Sequence, residues 1–247
     1  MIAYLSKADK KHLRGTALLR LDFNTEDEWR MEAALPTIKF LLKHSGKIVI
    51  LSHRGRPNGY DKKLSLKKDT INLSKMLGRK VIFIAGRDFA GIKTAVEKSP
   101  NGSVLVLDNV RFFKGETEND IKLAKRFASL GDFYVDDAFA VCYRKNASVV
   151  AITKFLPSFA GLEMEKEIKF LSRAMSKPKK PLVVVLGGAK AHDKLGVLKY
   201  FKKAAGWFLV GGAAANTLLF LGGVDIKNSL IDKDKKDLKN LRQVLRY

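Results

Sequence analysis

Two groups of residues in this sequence have the types and spacing to handle anions. The first is Leu182–Lys194, LVVVLGGAKAHDK. Its five apolar residues, Leu182 to Leu186, suit a strand buried on both faces. Gly187 and Gly188 follow, and glycine lets the backbone turn sharply or approach a ligand closely. Lys190 and Lys194 stand four apart. In a helix starting near Ala191 both project near its N-terminus, where free N–H groups and the helix dipole attract anions. Strand, glycine turn and paired lysines together make a phosphate-handling site, although the GxxxxGK[ST] loop is absent. A plain strand–turn–helix with solvated lysines fits the same spacing equally well.

The second group is a set of arginines placed just after apolar runs. After Ala17–Leu21 come Asp22, Phe23, Asn24 and then Arg30, with Arg20 near the end of the run itself. After Lys47–Leu51 comes Ser52-His53-Arg54-Gly55-Arg56-Pro57. Asn109-Val110-Arg111 follows Val104–Leu107, and Asp136, Asp137 and then Arg144 follow Phe133–Val135. Guanidinium forks match carboxylate and phosphate in bidentate fashion. Clustered at one edge they repel each other unless a ligand or nearby carboxylates balance them. The alternative is scattered surface arginines, each paired with Asp or Glu. Placement after runs, rather than along helix faces, weighs against it.

The elements that must carry these residues alternate. Strand candidates are the four runs above and Val81–Ile84, with helical patterns between them at Glu26–His44, Leu66–Leu77, Ile92–Lys98 and Asp120–Leu130. Pro36 is expected to kink the first helix or set its start. Alternation implies right-handed βαβ units in a doubly wound parallel sheet, Rossmann-like, with ligands bound beyond the carboxyl ends of its strands. Residues 151–180 read as a connector with an amphipathic helix at Gly161–Met175. A second βαβ series then begins: strand 182–186, helix from about 192, strand 207–210, helix from about 214. This divides the chain into a first domain at 1–157, a connecting helix at 158–180 and a second domain at 181–247. The Lys-rich stretch Asp232–Tyr247 reads as a helix, with Leu238, Leu241 and Leu245 near one face.

Composition narrows the partners. Forty-seven Lys and Arg against 25 Asp and Glu give a net charge of +22, which predicts phosphorylated metabolites, nucleotides or nucleic acid. Nucleic acid is disfavoured, because no zinc-finger spacing, RNP-like strand or basic heptad is present. Hydrophobic residues at 46% are enough for a core and argue against disorder. Cys142 is the single cysteine, and no signal peptide is apparent, so a cytoplasmic setting is expected. The uncharged stretch Ala204–Val224 is long enough to span a bilayer, but its glycines, Asn216 and Thr217 split it into a strand and a helix.

Taken together, LRLDFN (19–24), RMEAALPTIKFLL (30–42), SHRGRPNG (52–59), LDNVRFFKGE (107–116), DDAFAVCYRKNAS (136–148), KFLPSFAGLEMEKE (154–167), LGGAKAHDKLGV (186–197) and LVGGAAANT (209–217) resemble phosphoglycerate kinases. The order is the family's, and the motifs cover nearly the whole chain. The resemblance implies a two-lobed hinge-bending kinase of glycolysis that moves a phosphoryl group between 1,3-bisphosphoglycerate and Mg-ADP, giving 3-phosphoglycerate and ATP. It implies that Asp22, Phe23, Asn24, Arg30, His53, Arg56, Arg111 and Arg144 hold the three-carbon acid, with His53 a donor to it, and that Arg20 adds positive field. Arg30 and Lys190 would act on the migrating phosphoryl group, and Lys194 would hold nucleotide phosphates. Gly187, Gly188, Gly211 and Gly212 would line the nucleotide side. Mg²⁺ would arrive with the nucleotide, with no protein metal site.

The sequence departs from the family pattern in four places. Only Thr25 to Trp29 separate Asn24 from Arg30, a shorter loop than is usual. The family's Gly-Thr-Ala-His-Arg-Ala-His is Ala140-Val141-Cys142-Tyr143-Arg144-Lys145-Asn146 here, keeping only the arginine of its charged residues. His192 replaces a small residue. The later motifs of the nucleotide lobe are missing, so the second lobe is expected to be incomplete, with about two βα units. A partner chain that completes it is then expected, or dimerisation, or docking on the first lobe. Two other functions stay open: a module that binds the three-carbon acid without transfer, and a basic protein that binds nucleic acid.

Overall fold

The computed structural model of the chain describes residues 2–188, 192–232 and 238. They form two compact units, Met1–Lys169 and Phe170–Tyr247. The first contains a six-stranded sheet made of β1 (Thr16–Arg20), β2 (Lys47–Leu51), β3 (Val81–Ile84), β4 (Val104–Leu107), β5 (Phe133–Asp136) and β6 (Ser158–Ala160). Every pairing is parallel, in the order β3-β4-β2-β1-β5-β6. The chain builds outward from β1 to one side, then returns to build on the other. The order reverses at β1, so the crevice beyond its carboxyl end is where such a sheet accepts a ligand.

Alternate residues of each strand enter opposite cores. Leu18, Val49, Leu105 and Tyr134 pack with Ile92 and Val96 of α3 (Phe89–Lys98) and with Leu123 and Phe127 of α4 (Ile121–Ala128). Leu19, Ile50, Val106 and Val135 pack with Ile38 and Leu41 of α1 (Trp29–His44) and Leu73 of α2 (Lys67–Leu77). Helices therefore cover both faces, as an all-parallel sheet requires. Side-chain caps mark the helix starts: Asp88 accepts from Ala90 and Gly91 N–H, and Asp120 from Leu123 N–H. Pro36 lies inside α1 and does not set its start.

The boundary expected at residue 157 shifts in the structure. Ser158–Ala160 reads as connector because three residues make no recognisable run, yet β6 pairs in parallel with β5 and belongs to the first sheet. The helix that follows, α5 (Leu162–Ser176), contributes residues to both units.

In the second unit β7 (Val183–Leu186) and β8 (Trp207–Val210) form a two-stranded parallel sheet, followed respectively by α6 (His192–Phe201) and α7 (Gly212–Leu221). These are the two βα units expected from the sequence. Residues 204–224 divide into β8, a glycine turn and α7, and no described helix is long and apolar enough to cross a membrane. Leu241 and Leu245, and all of 233–247 except Leu238, lie outside the described residues.

Candidate anion-binding site

The carboxyl ends of β1, β2, β4 and β5 carry the arginines of the sequence reading. Ser52 ties the first two ends together: its hydroxyl donates to Leu21 O at 2.8 Å and accepts from Phe23 N–H at 3.0 Å. Asn109, fully buried after β4, donates to Arg54 O and Leu64 O and so pins the loop after β2. Gly55 closes that loop at φ +61°, where a side chain would also strike Leu64. Its N–H donates to Asn24 Oδ1 at 2.7 Å, and its carbonyl accepts from Arg111 Nη1.

His53 lies at the centre and is 1% exposed. Its pKa is pushed down to about 2, first by burial, then by Arg20, Arg111, Arg144 and Arg30. Four of the predicted arginines thus lie within electrostatic reach of one ring, and Arg20 touches it. The imidazole is neutral. Arg20 Nη2 lies 3.2 Å from Nδ1, and a guanidinium only donates, so Nδ1 accepts and the ring proton sits on Nε2.

Arg20 is itself buried. It donates through Nε to Ser148 Oγ at 3.0 Å, and through Nη1 to Leu21 O. The Ser148 hydroxyl passes the contact on to Glu116 Oε1 at 2.6 Å, and Ser148 N–H donates to Oε2. Burial raises the Glu116 pKa, while Arg20 and these hydrogen bonds oppose the rise. Glu116 is thus a counter-charge behind the cluster. The sequence reading missed it, because an acid after Lys114-Gly115 looks like surface charge.

Other carboxylates reach only part of the cluster. Asp22 Oδ2 accepts from Arg30 Nη1 at 2.5 Å, and Asp22 Oδ1 accepts from Asn24 N–H. Arg54 is fully engaged by Asp69 at 2.6 Å and Glu26 at 2.9 Å, and so ties the loop to α2. Arg111 has its pKa lowered by burial and by Arg144, Arg20 and Arg56, with Glu116 opposing. The Nε–H groups of Arg30, Arg111 and Arg144 are buried with no protein acceptor. Three unpartnered guanidinium donors mark a surplus of charge and hydrogen bonds that an oxyanion would satisfy. An open cavity of about 470 Å³ adjoins Asp22, Asn24 and Arg30.

Most of the predicted residues come together here. Phe23 is the exception: its side chain is 2% exposed within the core beside Leu21 and Met31, and its N–H is taken by Ser52. Arg56 is exposed at the rim. In the second unit the two glycine turns lie side by side. Ala214 N–H donates to Gly188 O at 3.2 Å, and a Cβ on Gly212 would lie 3.8 Å from Gly188 N. Gly188 and Gly212 have positive φ, 119° and 61°. Lys190 lies outside the described residues; for Lys194 only the backbone, within α6, is described.

The chain is an α/β protein with a doubly wound parallel sheet, and half-buried, underpaired arginines stand at the reversal point of that sheet. The phosphoglycerate kinase family model matches residues 9–246. The chain is 43% identical over 229 residues to the phosphoglycerate kinase of Fervidobacterium nodosum, covering 90% of this chain and 57% of that one. It is 39% identical over 246 residues to the enzyme of a Nostoc species, covering 96% and 61%. The solved phosphoglycerate kinase of Pyrococcus horikoshii superposes with a TM-score of 0.86 at 29% identity, covering 99% of this chain and 65% of that one. That of Coxiella burnetii does so with 0.81 at 32% identity, covering 100% and 63%. The chain belongs to the phosphoglycerate kinase family. It spans 57–61% of the length of the two relatives compared by sequence.

Proposed function

We propose that this chain carries the acid-binding half of a phosphoglycerate kinase and the beginning of its nucleotide half. The observation that carries this reading is the three buried Nε–H donors of Arg30, Arg111 and Arg144 left without an acceptor, with a buried, neutral His53 in contact with Arg20 beside them. Arg30, Arg111 and Arg144 would receive the carboxylate and phosphate of 3-phosphoglycerate, with Arg56 at the rim. His53 would donate from Nε2, and Asn24 from its amide. Asp22 would orient Arg30, Phe23 would back the loop from the core, and Arg20 would supply field from behind.

Phosphoryl transfer depends on positioning and charge stabilisation more than on covalent chemistry. In this reading Arg30 neutralises charge on the equatorial oxygens of the migrating group from the acid side, and Lys190 does so from the nucleotide side. ADP or ATP would enter with Mg²⁺ at Gly187, Gly188, Gly211 and Gly212, with Lys194 on its phosphates. The lone Cys142 suits a reducing cytoplasm.

The sheet of the second unit leaves Val185 and Trp207 mostly exposed, which favours a further segment or partner chain packed on it. Transfer from ATP to 3-phosphoglycerate by the purified chain tests the whole reading, with Lys190→Ala and Arg30→Ala as controls. Turnover absent from both variants is expected for a complete site. Saturable 3-phosphoglycerate binding that disappears in Arg30→Ala, without turnover, would support the acid-binding half alone. Undisturbed binding in that variant would refute the site.

A further inference from the structure

A second cavity, about 700 Å³, lies beyond the ends of β3 and β4, between the later part of the loop after β2, the first turns of α2 and the segment after β3. Its rim carries Lys62, Lys63, Lys67, Lys68 and Arg87. Its apolar wall is Tyr60, Phe83, Phe112 and Ile71. The cations differ from Arg54, which two carboxylates neutralise. None of these five forms an ion pair among the described residues. Like charges so placed repel one another, and an anion relieves them.

The wall has an ordered aromatic arrangement. Tyr60, 55% exposed, meets Phe112 edge-on at 5.1 Å between ring centroids. Arg87 lies over the Tyr60 ring at 5.5 Å, which leaves its guanidinium edge for an oxyanion. Asp108 is the one carboxylate in the lining. Its Oδ1 accepts from Leu66 and Asn109 N–H at 2.9 Å, and its Oδ2 accepts no hydrogen bond among the described residues. A ligand that suits this lining has a flat ring, an amine and a phosphate.

We propose that this cavity binds a nucleoside phosphate, with the base against Tyr60, its amine toward Asp108 and its phosphate on Arg87 and the lysines. None of its lining residues belongs to the glycine turns or to the arginine cluster, although Lys63, Ser65 and Lys68 also line the first cavity. A free nucleotide and one unit of a single-stranded nucleic acid share this chemistry, because stacking on an aromatic ring beside cations serves both.

The test is amide-resolved NMR on the full chain, titrated with AMP, inorganic phosphate or a short oligoadenylate. Expected are saturable shifts at Gly86, Arg87 and Phe112 with AMP, weakened roughly tenfold in Tyr60→Ala and in Arg87→Ala and kept in Tyr60→Phe. Oligoadenylate binding at the same amides tenfold or more tighter than AMP assigns the site to single strands. Equal or weaker binding assigns it to free nucleotide. Shifts confined to the glycine turns or to the arginine cluster overturn the proposal. So does phosphate binding as tightly as AMP, with Tyr60→Ala without effect, since that describes a plain anion patch.

Discussion

In the first unit the strands β1, β2 and β4 are shielded on both faces; in the second, Val183, Val185, Trp207 and Leu209 are 44%, 74%, 69% and 54% exposed. Both sets are mostly apolar, Val, Leu, Ile and Ala in the first and Val, Leu, Trp and Phe in the second. The difference lies in how many neighbours each strand has. Central strands with helices above and below lose water from every side chain, at roughly 25 cal/mol per Å² of apolar surface. A pair of strands with one helix after each leaves one face open. The chemistry follows the same division. A cluster of four guanidinium groups within reach of one histidine needs a core firm enough to hold like charges together, and the six-stranded sheet has one.

The largest expected effect tests that core. Phe127 is fully buried, with Phe89 at 5.5 Å and Phe113 at 5.4 Å between ring centroids. Phe127→Ala should destabilise the first unit by about 3–5 kcal/mol. The chain has two tryptophans, Trp29 in the first unit and Trp207 in the second, so urea unfolding in a Trp207→Phe background reads the first alone. A loss below about 1 kcal/mol would mean that this core does not support the cluster.

Next in size is a buried carboxylate at the reversal side of the sheet. Asp137 follows β5, and its Oδ1 accepts from Met164 N–H in the first turn of α5. Gly161 makes room for it, since a Cβ there would stand 2.2 Å from Oδ1. Asp137 Oδ2 is buried without a partner. Burial raises the pKa to about 6, outweighing hydrogen bonds from Thr37 and from Met164 N–H at the helix start that favour the anion, with Glu163 and Asp136 adding to the rise. A folded-state pKa above the unfolded one means that the folded chain binds the proton more tightly. This group's contribution therefore falls as pH climbs through 6. Asp137→Asn keeps the acceptor and removes the charge. It should stabilise the first unit by on the order of 1–3 kcal/mol at pH 8, with the gain shrinking as pH falls toward 4. A gain independent of pH would show that the carboxylate is not strained.

The third effect separates two arginines that look alike in the sequence. Arg111→Ala should weaken 3-phosphoglycerate binding tenfold to a hundredfold, since a buried charged donor with an unfilled Nε–H is lost. Arg54→Ala should leave the affinity within about threefold and instead lower stability by about 1–3 kcal/mol, because Asp69 loses its cation. Calorimetric titration paired with urea unfolding gives both numbers. The reverse pattern would exchange their roles.

That pair also shows what the sequence could and could not disclose. The limits of β2, β3, β4 and β8 coincide with apolar runs between turn residues, and arginine after a strand end points to the ligand edge in any parallel sheet. Which arginine is already neutralised depends on residues far away in sequence. Asp69 lies 15 positions from Arg54, and Glu116 is 32 positions from the Ser148 that links it to Arg20. β6 escaped for a local reason: Ser158-Phe159-Ala160 after Pro157 has no run and no alternation, and only its pairing with β5 makes it a strand. Phe23 escaped because a motif match assigns a position, whereas burial decides which way the ring points.

The smallest expected effect is the most informative about the second unit. Val185 is 74% exposed, so Val185→Lys removes almost no burial. In the chain alone it should change stability by less than about 0.5 kcal/mol, read from Trp207 fluorescence in a Trp29→Phe background. Trp207 pairs in register with Val183, on the neighbouring strand, and reports on this sheet. A loss above about 2 kcal/mol would mean that the face is covered in solution, because only a dry neighbour makes an inserted ammonium that costly. Sedimentation would then separate the two kinds of cover. A parent chain that dimerises and a variant that stays monomeric would identify a second copy. A monomeric parent would identify a segment of the same chain. A small loss instead means that the face is bare in the chain alone, and if a further segment or partner packs on it, adding that cover should turn the same lysine from neutral to disruptive.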